Sequence, residues 1–348
     1  MHQYNDLAIP IAWPDQTARG DELWMAVLKK LGIVKNLNFK VGHAAIVLIE
    51  KKSGDLKYFD FGRYIVPRGF GRARSSQFDP RLELETKAIF SDSGELLNLE
   101  EILCELTEKE SATHGGGRLL CSISERISFN KGVQFAEALV DKGPVLYGAL
   151  APNNNSCSRY VAQILVNAME KNDPRSSKIF FPECLKSSPT SNVVNANDQQ
   201  VQFCYHKSEL ERWNMDRKQS LKFQIGLLKP NFIRSKAQEL PDDNLLGYIE
   251  EPNRPEHLPK SAQWLGGLGE GCWFSLLHCG NEAEITKYNY RGEIEYTVVG
   301  ITEGLFSQHV DYEFSYEIHQ HRHVVKQNNE KVIFNTLDIN NLNLKQSI

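Results

Sequence analysis

A chain of 348 residues exceeds the usual size of one domain, so two domains, each able to bury a core, are the expectation. The formal net charge of −4 and pI near 6.2 leave no basic stripe for nucleic acid, which excludes DNA or RNA as the expected partner. The longest apolar runs, such as Ala44 to Ile49, are far too short to span a bilayer, and Met1 to Asp6 has neither a basic nor an apolar leader region, so a soluble cytoplasmic protein is expected.

After a proline-containing start at 9–14, Leu23, Trp24, Val27, Leu28 and Leu31 form a helical stripe that ends at Gly32, a natural C-cap. Gly42 to Ile49 reads as a mostly buried strand with His43 at its entrance. The turn signal Ser53-Gly54 and a second strand, Leu56 to Phe61, follow. Arg63, Arg68, Arg72 and Arg74, interleaved with Gly69 and Gly71, could grip a carboxylate or phosphate, or pair with Asp79, Glu83 and Glu85. Leu97 to Leu106 predicts a short acidic helix. The run Gly115-Gly116-Gly117 beside His114 could bring backbone N–H groups to an anion, but it lacks the ending of a phosphate-binding loop; a mobile glycine loop is the plainer reading. Leu119 to Ile127 is extended, Lys131 to Lys142 a helix, and Val145 to Leu150 a strand, a mixture that predicts an α+β domain.

The polar stretch Asn153-Asn154-Asn155-Ser156 stops at Cys157, where an apolar periodic segment begins (Val161, Ile164, Leu165, Ala168, Met169). A thiol in the first turn of a helix sits at the positive end of the dipole, which favours its thiolate. With His43 as the base and Asp60 to orient it, Cys157 has the partners of a cysteine nucleophile; the blander reading is a small core cysteine and an inert strand histidine. If Lys51 faces Asp55 across the turn, Asp60 faces Ile46 and lies on the opposite face from His43, unless a bulge at Gly62 shifts the register. Tyr64 and His114 stay open as alternatives for the third member. Arg63, Tyr64, His114 and Asn155 are the candidate substrate-binding residues.

Further on, 187–200 turns polar and reads as an exposed loop, and Lys207 to Gln224 as a charged helix. A proline-rich hinge at 252–259 divides a first domain, 1–250, from a second, 260–340. There the alternating runs 272–277, 285–290, 294–299, 310–316 and 331–334 predict a small antiparallel β-sandwich or barrel. His319, His321 and His323 alternate and would share one face of a strand. Imidazoles ~7 Å apart on one strand rarely close a metal site, so no metal is expected. Seven dispersed cysteines without a CxxC pair fit a reducing compartment.

The His43 hairpin, the segments 58–64 and 113–120, and Asn155-Ser156-Cys157-Ser158-Arg159-Tyr160-Val161 together resemble the circularly permuted branch of the NlpC-type papain-like superfamily, which includes lecithin retinol acyltransferase-like proteins. They are also similar to an uncharacterised bacterial domain family placed in that branch. The resemblance covers roughly residues 7 to 170, about the span of one domain. It implies a permuted papain-like domain ahead of the β domain, with Cys157 as nucleophile, His43 as base, a polar third residue such as Asp60, and no cofactor. It also implies hydrolysis or acyl transfer at an amide or ester of a peptide, lipid or small molecule. Ala262 to Gly267 is similar to a tail in related bacterial proteins, which implies no activity. The alternative is a non-catalytic binding or scaffold protein with a degenerate papain-like fold.

Overall fold

The computed structural model describes residues 4–148, 153–280 and 282–336. The reading of the chain's first three residues as part of a leaderless start, of 149–150 as strand, and of 337–340 as the end of the second domain lies outside them.

The architecture is mixed helix and sheet, followed by an antiparallel β domain. At the centre of the first, nine-stranded sheet, Asp6–Trp13 and His43–Ile49 pair antiparallel from Leu7 opposite Ile49 to Trp13 opposite His43. Leu56–Gly62, Phe70–Arg74 and Val145–Leu146 extend the sheet on one side. Leu119–Cys121, Val201–His206 and Glu209–Asn214 extend it on the other, where Ser124–Ile127 also pairs with Asp6–Trp13.

Both faces of the central strands are covered, which is why Ala44 to Ile49 is apolar without alternation. Ala44, Ile46, Leu48, Phe59 and Phe61 pack with the helices Phe129–Lys142 and Cys157–Ala168. Ala45, Val47, Ile49 and Tyr58 pack with Ile102, Leu103 and Leu106 of the helix Leu99–Glu108.

The hairpin register differs from the expected one by a single residue. Glu50, rather than Lys51, faces Asp55: its N–H donates to the Asp55 carbonyl at 2.9 Å, and the Gly54 N–H donates to the Glu50 carbonyl at 2.8 Å. Asp60 therefore faces Ala45, not Ile46. The correction arises in the turn, not from a bulge at Gly62, and it brings Asp60 to the face that His43 shares with Ala45.

Two further expectations are corrected. Residues 187–200 hold a helix, Pro189–Asn195, every residue of which is buried; a capping box between Ser188 and Ser191 and a proline in its first turn start it. The segment 207–224 is divided between the hairpin Val201–His206/Glu209–Asn214, whose turn residues Lys207 and Ser208 have positive φ, and the helix Arg217–Phe232. The first helix, Leu23–Lys30, forms as expected but buries none of its residues, so its apolar stripe faces outward.

Among the described residues the C-terminal sheet has seven strands in the order Gln263–Leu265, Cys272–Cys279, Glu282–Tyr288, Ile294–Ile301, Glu330–Thr336, Arg322–Gln327, Glu313–Phe314. Its two edges nearly close into a barrel through one side chain: Gln263 donates to the Tyr312 carbonyl at 2.8 Å and accepts from the Phe314 N–H at 2.8 Å. The proline-rich segment before it is docked rather than loose, with Leu258 buried beside Trp273 and Arg254 over the Trp273 ring. A single apolar cluster includes Phe61, Ile65, Ala73 and Phe78 with Leu265, Cys272 and Phe274, so the two sheets share a seam.

Gly54 has a φ of 75°, and a Cβ there would lie 2.7 Å from the Ala88 carbonyl oxygen. Gly54→Ala is expected to destabilise the fold by about 1–3 kcal/mol. The check is a lower urea midpoint at unchanged m-value.

Candidate active site

Ser156 stands in extended conformation before the helix Cys157–Ala168, and its Oγ accepts from the Arg159 N–H at 3.4 Å. Cys157 is thus the first residue of the helix, where N–H groups lack partners inside the helix. The helix covers the Ala44 face of the sheet, whereas His43 belongs to the Ala45 face. The strand begins at His43, and at that end of the sheet the thiol and the ring line the same cleft and interact electrostatically.

On its other side the His43 ring meets a carboxylate, with Nε2 lying 3.1 Å from Asp60 Oδ2. Asp60 is fully buried and accepts three more hydrogen bonds: two from Arg74, at 2.9 and 2.6 Å, and one from the Tyr58 hydroxyl at 3.1 Å. Trp13 stacks on the imidazole, centroids 5.6 Å apart and planes 14° from parallel, and Tyr64 meets it edge-on at 6.1 Å. His114 stacks on Tyr64 at 4.4 Å, and the Arg74 guanidinium lies 3.7 Å from the centroid of the same ring.

The electrostatics favour an ion pair between sulfur and ring. Burial by itself would push the His43 imidazole down, but the hydrogen bonds to Asp60 and Cys157 outweigh it and raise the ring to about 9. Burial would likewise push the Cys157 thiol up; the His43 hydrogen bond and charge, with help from Ser158, hold it below the usual thiol range. Desolvation opposes the charge on Asp60, yet the Arg74 cation and the His43 bond keep its carboxyl well below the usual carboxylate range. These shifts favour thiolate, imidazolium and carboxylate together, whereas desolvation pushes the buried Cys121 and Cys272 thiols up.

Cys157 and His43 open onto a cleft of about 410 Å³ whose walls include Gln16, Gly42, Arg63, Tyr147, Leu245 and Leu268, with Asp60 buried behind the ring. Of the expected substrate-binding residues, Arg63, Tyr64 and His114 line it. Asn155 is not among the lining residues; its side chain accepts from the Ser156 N–H at 2.9 Å and donates to Gln163 at 3.1 Å. The arginine cluster is dispersed: Arg68 pairs with Asp21, Arg72 donates to the carbonyls of Tyr316 and Ile318, and Arg74 holds Asp60. Arg63 remains in the cleft wall, 4.7 Å from the centroid of the Tyr147 ring. The glycine run makes room for bulk: a Cβ on Gly115 would fall 2.1 Å from the Trp13 indole.

The three tail histidines do not share a strand face. His319 and His321 precede the strand that begins at Arg322, while His323 is buried in it, 3.1 Å from the Tyr296 hydroxyl, and burial pushes it down to about 3. Among the described residues no group of three or more His, Cys, Asp or Glu side chains is placed to hold a metal ion.

Trp13, Tyr58 and Glu270 were not singled out by the sequence. Trp13 carried the one usable signal, an aromatic residue at the end of a strand-forming run that pairs directly with His43. Glu270, from the segment that leads into Cys272–Cys279, comes within 3.4 Å of His114 Nε2.

Residues 8–174 match the family model of type VI secretion system effector TseH-like proteins. Residues 262–337 match the model of the DUF6695 C-terminal domain. Among solved structures, the crystal structure of the type VI secretion system effector TseH aligns with 60% of this chain and 98% of its own length, at 16% identity and a TM-score of 0.40. No curated protein matches the chain. No helix among the described residues is long and apolar enough to cross a membrane.

Two outcomes follow from the geometry. Asp60→Asn removes the carboxylate that Arg74 holds through two hydrogen bonds and is expected to cost about 3 kcal/mol, read by chemical unfolding. The rate of Cys157 alkylation should half-rise at a pH below the normal thiol value in wild type, and shift upward in His43→Ala, because the imidazolium that favours the thiolate is gone.

Proposed function

We propose that this chain is a papain-like cysteine hydrolase or acyltransferase with the permuted order, histidine before cysteine, of the NlpC-type branch. The observation that carries the reading is that Cys157 and His43 share the wall of one cleft while His43 meets the buried Asp60, itself held by Arg74; the electrostatics, which push the sulfur down and the ring up, support it. The similarity of residues 8–174 to effector proteins supports it.

In this reading the Cys157 thiolate attacks the carbonyl carbon of an amide or ester. First-turn N–H groups of its helix receive the developing oxyanion. His43 gives its proton to the departing amine or alcohol as the carbonyl reforms, leaving a thioester on Cys157. Water or an acceptor alcohol or amine then loses a proton to His43 as it attacks the thioester, which releases the acyl product and restores the thiolate. Asp60, fixed by Arg74, orients the ring and balances its charge. Arg63, Tyr64 and His114 supply the polar and aromatic wall against which a peptide, lipid or small-molecule substrate lies. No step calls for a metal or organic cofactor.

The effector similarity also changes the proposed place of action. The sequence reading expects a cytoplasmic chain, whereas an exported effector works after delivery, so amide and ester bonds outside the producing cell enter the proposed substrate range.

Screening peptide, ester and lipid-amide libraries tests the proposal. Turnover lost in Cys157→Ala and reduced by about 1000-fold or more in His43→Ala is expected. Activity should require a deprotonated sulfur and a protonated ring, so it should rise through the lowered thiol pKa and fall above about pH 9, where His43 loses its proton. An acyl probe that labels all accessible cysteines at the same slow rate would instead indicate a scaffold.

A further inference from the structure

The C-terminal β domain lines the cleft with Leu268 and Gly269 and reaches the residues around His43 through the Glu270 side chain. Glu270 precedes the strand Cys272–Cys279, and its backbone carbonyl accepts from the Ile65 N–H at 2.8 Å, beside Tyr64. The neighbouring Gly269 N–H donates to the Arg63 carbonyl at 2.8 Å. These two bonds continue the candidate-site strand into the other domain and fix where the Glu270 carboxylate goes.

That carboxylate enters a buried ring of charge. Oε1 accepts from Arg81 at 2.7 Å; Oε2 lies 3.4 Å from His114 Nε2 and 3.7 Å from Arg74 Nη1, a buried atom that no hydrogen bond satisfies. Arg74 is the residue that clamps Asp60, and His114 stacks on the Tyr64 ring that meets His43 edge-on. Two routes thus lead from Glu270 to the His43 ring, one through charge and one through stacked rings.

We infer that Glu270 is a positioning residue for His43, so that the β domain completes the active site and is not an independent appendage. The inference rests on the proposed cysteine chemistry. Glu270 balances the second face of the Arg74 cation, leaving Asp60 free to serve His43, and holds His114 flat against Tyr64. Without its charge, Arg74 draws more strongly on Asp60, and its uncompensated positive field disfavours the imidazolium. The other charged or titratable groups facing Glu270 are Lys287, Asp79, Arg72 and Cys272; those facing His43 directly are Asp60 and Cys157.

The test measures Cys157 alkylation by iodoacetamide against pH in the full chain, which needs no substrate, for wild type, His43→Ala, Glu270→Gln and Glu295→Gln. Glu295 comes from the same β domain and pairs with Arg81 and Lys287, but it is paired with neither Arg74 nor His114. Thermal unfolding of each variant separates folding from positioning. The expected result is a Glu270→Gln chain that folds, whose Cys157 reacts about threefold to tenfold more slowly at pH 7 because its thiolate half-point lies about half to one pH unit higher. Glu295→Gln should keep the wild-type half-point even where its melting temperature falls. An unchanged half-point in folded Glu270→Gln, or equal shifts in both variants, overturns the inference. A wild-type Cys157 whose reactivity ignores His43→Ala overturns the cysteine chemistry itself.

Discussion

The Asp60 carboxylate is the group on which the arrangement turns. It is fully buried, it accepts from Arg74, Tyr58 and His43 together, and its charge is tolerable in that position because a buried guanidinium meets it through two hydrogen bonds. With Asp60 ionised, the imidazole beside it gains a proton readily, and an imidazolium in turn favours the thiolate at the head of the adjacent helix. Each charge is made affordable by the next, so the line from Arg74 to Cys157 behaves as one unit rather than as separate pairs.

The junction between the two sheets follows a similar logic. Besides apolar contacts, it buries Arg72, Arg74, Asp79 and Lys287, with Arg81 and Glu270 close by. A purely oily seam would tolerate sliding, whereas Arg72 donating to the carbonyls of Tyr316 and Ile318, and Arg81 bound to Asp79, Glu270 and Glu295, admit one docking. Removing any single member leaves a charge stranded out of water, which makes the interface costly to disrupt piecemeal.

Much of this was legible in the residues. The apolar run after His43 gave its strand, the break from Asn-rich loop to periodic helix gave the position of Cys157, and alternation gave most of the C-terminal strands. Asp60 was recognised by its chemistry but set on the wrong face, because a one-residue difference in turn length inverts every side chain of a strand and short turn signals do not fix that length. The helix Pro189–Asn195 has no local signal because four of its seven buried residues are Thr190, Ser191, Asn192 and Asn195, which composition assigns to solvent; Asn192 donates to the Ser158 carbonyl at 2.8 Å. The pairing of Arg74 with Asp60 across neighbouring strands and the approach of Glu270 from the distant β domain depend on tertiary geometry, for which local pattern carries no trace.

The indole of Trp13 adds something that hydrogen bonds alone would not. An imidazole lying parallel to it, with one nitrogen committed to Asp60, has a single rotational setting, and Gly115 exists as glycine at the place where a methyl would evict the indole. The entropy of aligning base with sulfur is therefore surrendered when the chain folds and not again at each encounter with a substrate.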